Sequence, residues 1–490
     1  MSKEATLNHV GRKLFFNTIT AEELSVIQDA TSELLWETGI LVESEVAADR
    51  FRAAGAKVEK KSGEFLVKLP EWLITESLAS VPSNFPFYGQ SQEFDFHPAT
   101  DDPTILSYGV HVNIIDPNSL QVRATTKKDA ENLSRLLNHL PKFRVQLDSI
   151  GAIDYPSGAV AAAQAHSMLS NNPRFIFCSS ATTDENEVIL KMCHAVAGGE
   201  DNFKERPFMC ITASPISPLM MKNSCTNTLA FTAENGMVSH AVNMCLAGAT
   251  GPVTLAGSVV LSVAELLGAL VYVQIVKKGT PTLLSTCSSI MDMRSGLAAS
   301  GSPDTSLICT ISAKILNHYG LHGLASSGVS DAKLPDAQSA YEFTTNAALM
   351  AATHSSIVFG AGSLEGGLTF DYAKLLLDHE SYVNILKFLD GLDFSRESLA
   401  LDLMKEVGPG NTYLQHRSTF QKFRKTLSQN DLFSRTSREA WVKDGGKTVT
   451  ERAYERVLEL LSKPPATPLN VSIQEEIDTL LSDQLHKVRP

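Results

Sequence analysis

The apolar and polar positions predict a helical opening followed by a regular alternation. Thr20-Ala-Glu-Glu23 has the form of a capping box, and Leu24, Ile27, Leu34 and Leu35 give the helix behind it one apolar face until Gly39. The stretches 104–115 and 120–125 read as a strand pair turning at Asp116-Pro117-Asn118, with Thr126 capping the next helix. Residues 1–140 are therefore expected to form an α/β prelude. Beyond it, short apolar runs at 145–152, 175–179, 208–213, 239–245, 281–287, 321–326 and 356–359 alternate with helical stretches such as 156–170, 185–197, 262–276, 305–318 and 337–352. That is the pattern of βα units around a parallel sheet, and its natural closure is a (β/α)8 TIM-type barrel over residues 141–390. The runs supply seven strands, and the eighth is expected from the prelude or from the segment after residue 380. Residues 391–490 read as a C-terminal helical segment: 390–441 is charged and helical, and the Pro-rich 463–468 links to a short last helix at 473–481. It packs on the barrel or makes subunit contacts.

Several of these strands end in small or polar residues: Ser179-Ser180, Thr212 to Ser214, Gly248, Thr286 and Ser326 to Gly328. Barrel enzymes carry their chemistry at the carboxyl ends of the strands, so the repetition marks a candidate site face. Any one of these residues alone could simply make a βα turn.

Composition narrows the class. With 43% hydrophobic and 20% charged residues in 490, the chain is globular, and its net charge of -12 without a basic stripe excludes a nucleic-acid surface. Residues 1–16 lack the apolar core of a signal peptide. The most apolar stretch, 257–276, contains Glu265 and Gln274 and reads as a buried barrel helix, not a membrane span. Seven cysteines without a C-x-x-C pair point to reduced thiols in a cytoplasm. A dimer or larger homo-oligomer is expected from size and class.

Familiar chemical motifs are missing. Cys178, Cys210, Cys245 and Cys287 sit on or beside four successive strands, but without close spacing or a matched histidine they read as buried small hydrophobes, with no metal site. Gly360-Ala-Gly362 and Gly366-Gly367 lack the order of a dinucleotide fingerprint, and no phosphate-binding P-loop, nucleophile elbow or H-E-x-x-H occurs. His379-Glu380 reads as a solvated pair on a helix. His354 is expected at the stability face of the barrel.

Longer stretches carry a resemblance. Ser107-Tyr108-Gly109 with Asp129, Gly251-Pro-Val-Thr-Leu-Ala-Gly257 with Glu265, Ser330-Asp331-Ala-Lys333 with Asp336 and Gln338, Gly362-Ser-Leu-Glu365, and Glu406-Val-Gly-Pro-Gly410 stand in this order. The ordered set resembles the trimethylamine methyltransferase family over about residues 10–485. The resemblance implies a (β/α)8 barrel that moves a methyl group from an amine to the cobalt of a corrinoid (cobalamin) carried by a cognate corrinoid protein, with no cofactor bound tightly by this chain. Founding members contain pyrrolysine; this chain has only standard residues, with Lys333 in the neighbourhood of that residue, and so resembles the members that demethylate betaines. Glycine betaine is the expected substrate, with proline betaine, carnitine and γ-butyrobetaine as alternatives. The family's His-Thr pair is replaced by Gln415-His-Arg-Ser-Thr419, which puts a role for His416 in doubt.

The implied chemistry needs no nucleophile or general acid from the enzyme, because a quaternary ammonium leaves as a neutral amine; no catalytic side chain is assigned. Binding a cation calls for aromatic faces. Tyr108 and Phe359 are the expected cage, with Tyr341 and Phe370 in reserve and Glu365 as a carboxylate near the cation. His111 and Lys333 are the candidates for a substrate carboxylate, with Asp331 orienting Lys333. Glu265 is expected to be hydrogen-bonded structure or a partner contact. A C–N lyase acting on a small amine and a non-catalytic betaine-binding protein remain alternatives.

Overall fold

The protein is described by a computed structural model covering residues 18–83, 85–180, 182–353 and 355–488. The readings made for residues 1–16 and for His354 lie outside the described residues. Eight parallel strands follow one another around a barrel: β1 (Thr104–Ser107), β2 (Val145–Leu147), β3 (Phe175–Ser179), β4 (Met209–Ala213), β5 (Val238–Asn243), β6 (Thr282–Thr286), β7 (Gly323–Ser326) and β8 (Ile357–Ala361). Each is followed by a helix on the outside: α1 (Lys127–Leu137), α2 (Val160–Asn171), α3 (Thr183–Ala197), α4 (Asn223–Glu234), α5 (Leu255–Val276), α6 (Pro303–His318), α7 (Ala337–Ala351) and α8 (Tyr372–Asp390). The loops into the helices end in capping residues: Thr126 with Asp129, Thr182, Ser302 before Pro303, Asp336 and Asp371 each satisfy amide groups of a first turn.

The missing eighth strand comes from the prelude. The stretch 104–115 breaks after Ser107; Thr104–Ser107 pairs in parallel with β8, while Asn113–Ile115 leaves to pair with Val122–Ala124 and Thr369–Phe370. The barrel therefore begins near residue 104, not at 141. Closure between β1 and β2 is made largely by side chains. The Ile105 amide donates to the Lys142 carbonyl at 3.1 Å, the Thr104 hydroxyl donates to the same carbonyl at 2.6 Å, and the Arg144 amide donates to the Thr104 oxygen at 2.8 Å. Further along, the Ser107 and Ser149 hydroxyls are hydrogen-bonded, and His111 exchanges backbone bonds with Ser149 and Gly151.

The amino end of the barrel is filled from outside. Phe87 and Phe96 stack with ring centroids 5.7 Å apart, and Phe87 meets Phe175 at 5.0 Å, so the interior apolar layers end in a plug of rings. α5 is apolar on nearly every side, and most of its residues are buried by the surrounding protein. Its outer face is covered by helices Ala21–Glu33, Glu45–Ala53 and Glu71–Ser80, and Ile40, in a small sheet of Met220–Met221, Ile40–Val42, Glu64–Lys68 and Lys57–Lys61, reaches it beside them. Gly268 permits this approach, since a Cβ there would lie 2.0 Å from Ile40 Cδ1. The one carboxylate of α5, Glu265, accepts from the Ser217 hydroxyl, the Leu219 amide and Asn243 at 2.8–2.9 Å. It is hydrogen-bonded structure.

After α8 the chain departs from the barrel through short helices Leu401–Val407, Arg417–Thr426 and Arg438–Lys443. It returns as Val449–Ser462, packed on α8 and α1, and ends with Val471–Val488 across α2 and α3, longer than its apolar pattern predicts. His166 to Asp478 (2.6 Å) and Gln484 to the Gly158 carbonyl (2.6 Å) fix this last helix. One prediction concerns the seam. Thr104→Val keeps the shape but strands the Arg144 amide and leaves the Lys142 carbonyl with the Ile105 amide alone, and it should cost about 1–3 kcal/mol, read as a lower urea midpoint with unchanged m-value.

Candidate functional site

Ser107 ends β1, and the chain turns at Tyr108-Gly109 over the carboxyl face of the barrel. There a cavity of about 650 Å³ opens between the strand ends. Tyr108 and Phe359 supply its aromatic surface; Ser179, Ser180, Thr212, Ser214, Ser224 and Thr228 supply hydroxyls. Leu147, Val242, Cys225 and Cys287 add apolar surface, and Val110, Met244 and Leu368 stand at its exposed rim. Gly367, with φ +107°, lets the loop after β8 lie against the Tyr108 ring: a Cβ there would fall 2.6 Å from it.

The floor is polar but uncharged. His240, inside β5, is held between the Thr212 hydroxyl at 2.8 Å and the Ser285 hydroxyl at 2.7 Å on the flanking strands, with the edge of Phe177 beneath it at 5.1 Å. Burial without a carboxylate partner lowers its pKa to about 3, so the ring is neutral. Burial likewise pushes the Cys287 thiol up to about 12, with the adjacent Tyr108 hydroxyl partly offsetting this, and raises the Tyr108 phenol well above its ordinary range. Among the described residues that line the cavity, none is Asp, Glu, Lys or Arg. A buried carboxylate, Asp148, reaches one lining residue: it accepts the Ser179 amide at 2.6 Å and the Ser179 hydroxyl at 3.3 Å. Burial raises it to about 7, against the lowering by those two bonds.

The expected site residues divide. Tyr108 and Phe359 meet in the cavity. His111 does not line it: fully buried behind Tyr108, its ring nitrogens lie 2.6 Å from the Ser149 carbonyl and 2.9 Å from the Ser363 hydroxyl, and burial lowers its pKa to about 4. Phe370 is core, packed edge-on to His111 and Tyr372. Tyr341 is 74% exposed on the outer side of α7. Glu365 sits at φ +53°, its carboxylate bonded to Thr369, one residue before the lining Gly366. The Asp331 carboxylate anchors the loop before α6 by accepting the Ser300 and Gly301 amides at 3.0 and 2.9 Å; what meets the Lys333 side chain is the Asp331 backbone carbonyl. Lys333 is exposed, its ammonium donating to the Asp331 backbone carbonyl at 2.7 Å. Cys178, Cys210 and Cys245 are buried in the barrel wall. Sequence reasoning missed His240, Gly367 and Met244; the hydroxyl wall was visible only as polar strand ends.

An eight-stranded barrel whose carboxyl-end loops enclose such a cavity, with the other end plugged, defines a (β/α)8 enzyme. The model of the trimethylamine methyltransferase (MTTB) family matches residues 2–486, and the chain belongs to that family, among the methyltransferases. It is 33% identical over 462 residues to trimethylamine methyltransferase MttB of Desulfitobacterium hafniense (strain DSM 10664 / DCB-2), covering 94% of this chain and 92% of that protein. It is 28% identical over 474 residues to the glycine betaine methyltransferase of Desulfitobacterium hafniense (strain Y51), covering 95% and 96%. The crystal structure of the Methanosarcina barkeri monomethylamine methyltransferase superposes with a TM-score of 0.53 at 9% identity, over 93% of this chain and 89% of that one, a likeness of fold.

The Asp148 carboxyl yields a pH prediction. Its folded pKa of about 7 exceeds the ordinary 3.8, so the folded chain holds a proton that the unfolded chain has released. The resulting stabilisation is complete below the unfolded value and disappears as pH rises through 7. Asp148→Asn, which keeps an acceptor for Ser179, should therefore gain in urea midpoint over the wild type progressively from pH 5 to pH 8.5. An offset independent of pH would show that Asp148 titrates normally.

Proposed function

We propose that this methyltransferase removes a methyl group from a quaternary amine, glycine betaine first among them, leaving dimethylglycine, and passes it to a corrinoid on a separate protein. The observation that carries this reading is a cavity with two aromatic residues and many hydroxyls but no ionised side chain among its described lining. His240 is neutral and the thiols are held protonated, so the site can bind and orient a substrate without attacking it or moving a proton to it. Loss of a methyl cation equivalent from a quaternary ammonium leaves a neutral tertiary amine, which needs no acid. The corrinoid's cobalt(I), when its carrier is docked, supplies the nucleophile.

This chain's part is then desolvation and positioning. Tyr108 and Phe359 offer π faces to the ammonium. Ser179, Ser180, Thr212 and Ser214 offer hydroxyls to a substrate carboxylate, a role assigned here to the wall in place of His111 and Lys333. The cavity opens past Val110, Met244 and Leu368, an apolar rim suited to the face of a corrinoid carrier. Its volume also admits the longer proline betaine, carnitine or γ-butyrobetaine. The seven free cysteines support a cytoplasmic setting.

Purified chain with cobalt(I) cobalamin and glycine betaine should form methylcobalamin and dimethylglycine. Product without cobalamin would identify a lyase, and binding without turnover a sensor; either overturns the proposal. The cage makes a separate prediction. Tyr108→Leu and Phe359→Leu should each weaken glycine betaine binding by about 2 kcal/mol, roughly 30-fold, while changing affinity much less for 3,3-dimethylbutanoate, the isostere with an uncharged tert-butyl head, because a cation–π contact discriminates where plain packing does not. Calorimetric titration of both ligands checks it; equal losses would mean the rings serve only as packing.

A further inference from the structure

Residues 395–429 form an arm that the rest of the described chain does not hold. Their hydrogen bonds and ion pairs close on one another or on the adjoining Asp393: Lys422 with Glu397, His416 with Glu406 and Ser418, Asn411 with the Val407 carbonyl, and Ser398 with Asp393. Helices Leu401–Val407 and Arg417–Thr426 contain no buried residue. Leu399, Leu401, Met404, Leu414, Phe420 and Leu427 are all exposed, Leu414 and Phe420 by 80% and 79%. Helices of 7 and 10 residues are marginal in water without a packed face. An arm so rich in uncovered apolar side chains therefore needs a surface to lie on.

We propose that the arm is exchanged between two copies of this chain, each lying on the barrel of its partner. Three observations favour a second copy. The need for cover is permanent, whereas a carrier protein that delivers and removes a group must leave. The arm departs from the C-terminal end of α8, which lies at the amino face of the barrel, opposite the cavity mouth where a carrier would dock. And its charge is complementary: residues 395–429 hold six Lys and Arg against three Asp and Glu, on a chain whose net charge is -12, so a basic arm meets an acidic body. A two-fold arrangement would bury both arms at once.

Sedimentation velocity on the full-length protein tests this. The wild type should sediment as a dimer or a multiple of one, dissociating more readily as salt rises. Leu414→Asp combined with Phe420→Asp should raise the dissociation constant by about 100-fold or more, the effect of losing central apolar anchors, with the circular dichroism of the barrel retained. If the charged pair unfolds the chain, Leu414→Ser with Phe420→Ser carries the test. A monomeric wild type, whether its arm is covered by residues 1–17 or by a carrier protein, overturns the proposal; so does an oligomer that either variant leaves intact.

Discussion

The closure of the barrel at one side-chain seam is the constraint on which the remaining structure depends. A parallel sheet ordinarily joins its strands by backbone ladders, but β1 meets β2 mainly through Thr104, Ser107 and Ser149, with the His111 backbone beyond them. Buried hydroxyls in such a place are strong determinants of register, since a slip would leave carbonyls and amides unpaired in an apolar wall. The residue that follows the seam is Tyr108, so the same bonds that close the barrel fix where one wall of the cavity stands. His111, expected to meet substrate, is spent on this closure: both ring nitrogens are occupied, and burial keeps it neutral.

Much of the fold was legible in the sequence because parallel strands buried on both faces read as short unbroken apolar runs. Phe175–Ser179 emerges with its bounds unchanged, and β4 to β8 shift by one or two residues. β1 was hidden because its apolar run continues into Asn113–Ile115, and only tertiary pairing with β8 separates the two. α4 falls between two expected strands, but its bounds were not given from the sequence: its Asn, Thr and Ser content gives a weak helical signal, although several of those hydroxyls are buried against the barrel.

The site was legible where chemistry and position coincide and obscure where they depend on neighbours. Tyr108 and Phe359 are aromatics beside glycine at strand ends, a local signal. His240 lies in Val238–Asn243 like any core residue, and its character comes from Thr212 and Ser285, which are adjacent only across the sheet. Tyr341 and Phe370 failed in opposite directions, one on the outer face of a helix and the other beneath the loop. Nothing local distinguishes an inward ring from either.

The plug of Phe87 and Phe96 has a kinetic consequence. With the amino end filled, the described residues leave the cavity open at the carboxyl face of the barrel, and the corrinoid carrier of the proposed reaction would stand in that door. Small molecule and carrier then cannot come and go in arbitrary sequence. In the proposed reaction the amine would load before the carrier seats, and the demethylated product would wait until the carrier lifts away. Order of events would thus be imposed by two phenyl rings at the end of the molecule that never touches substrate.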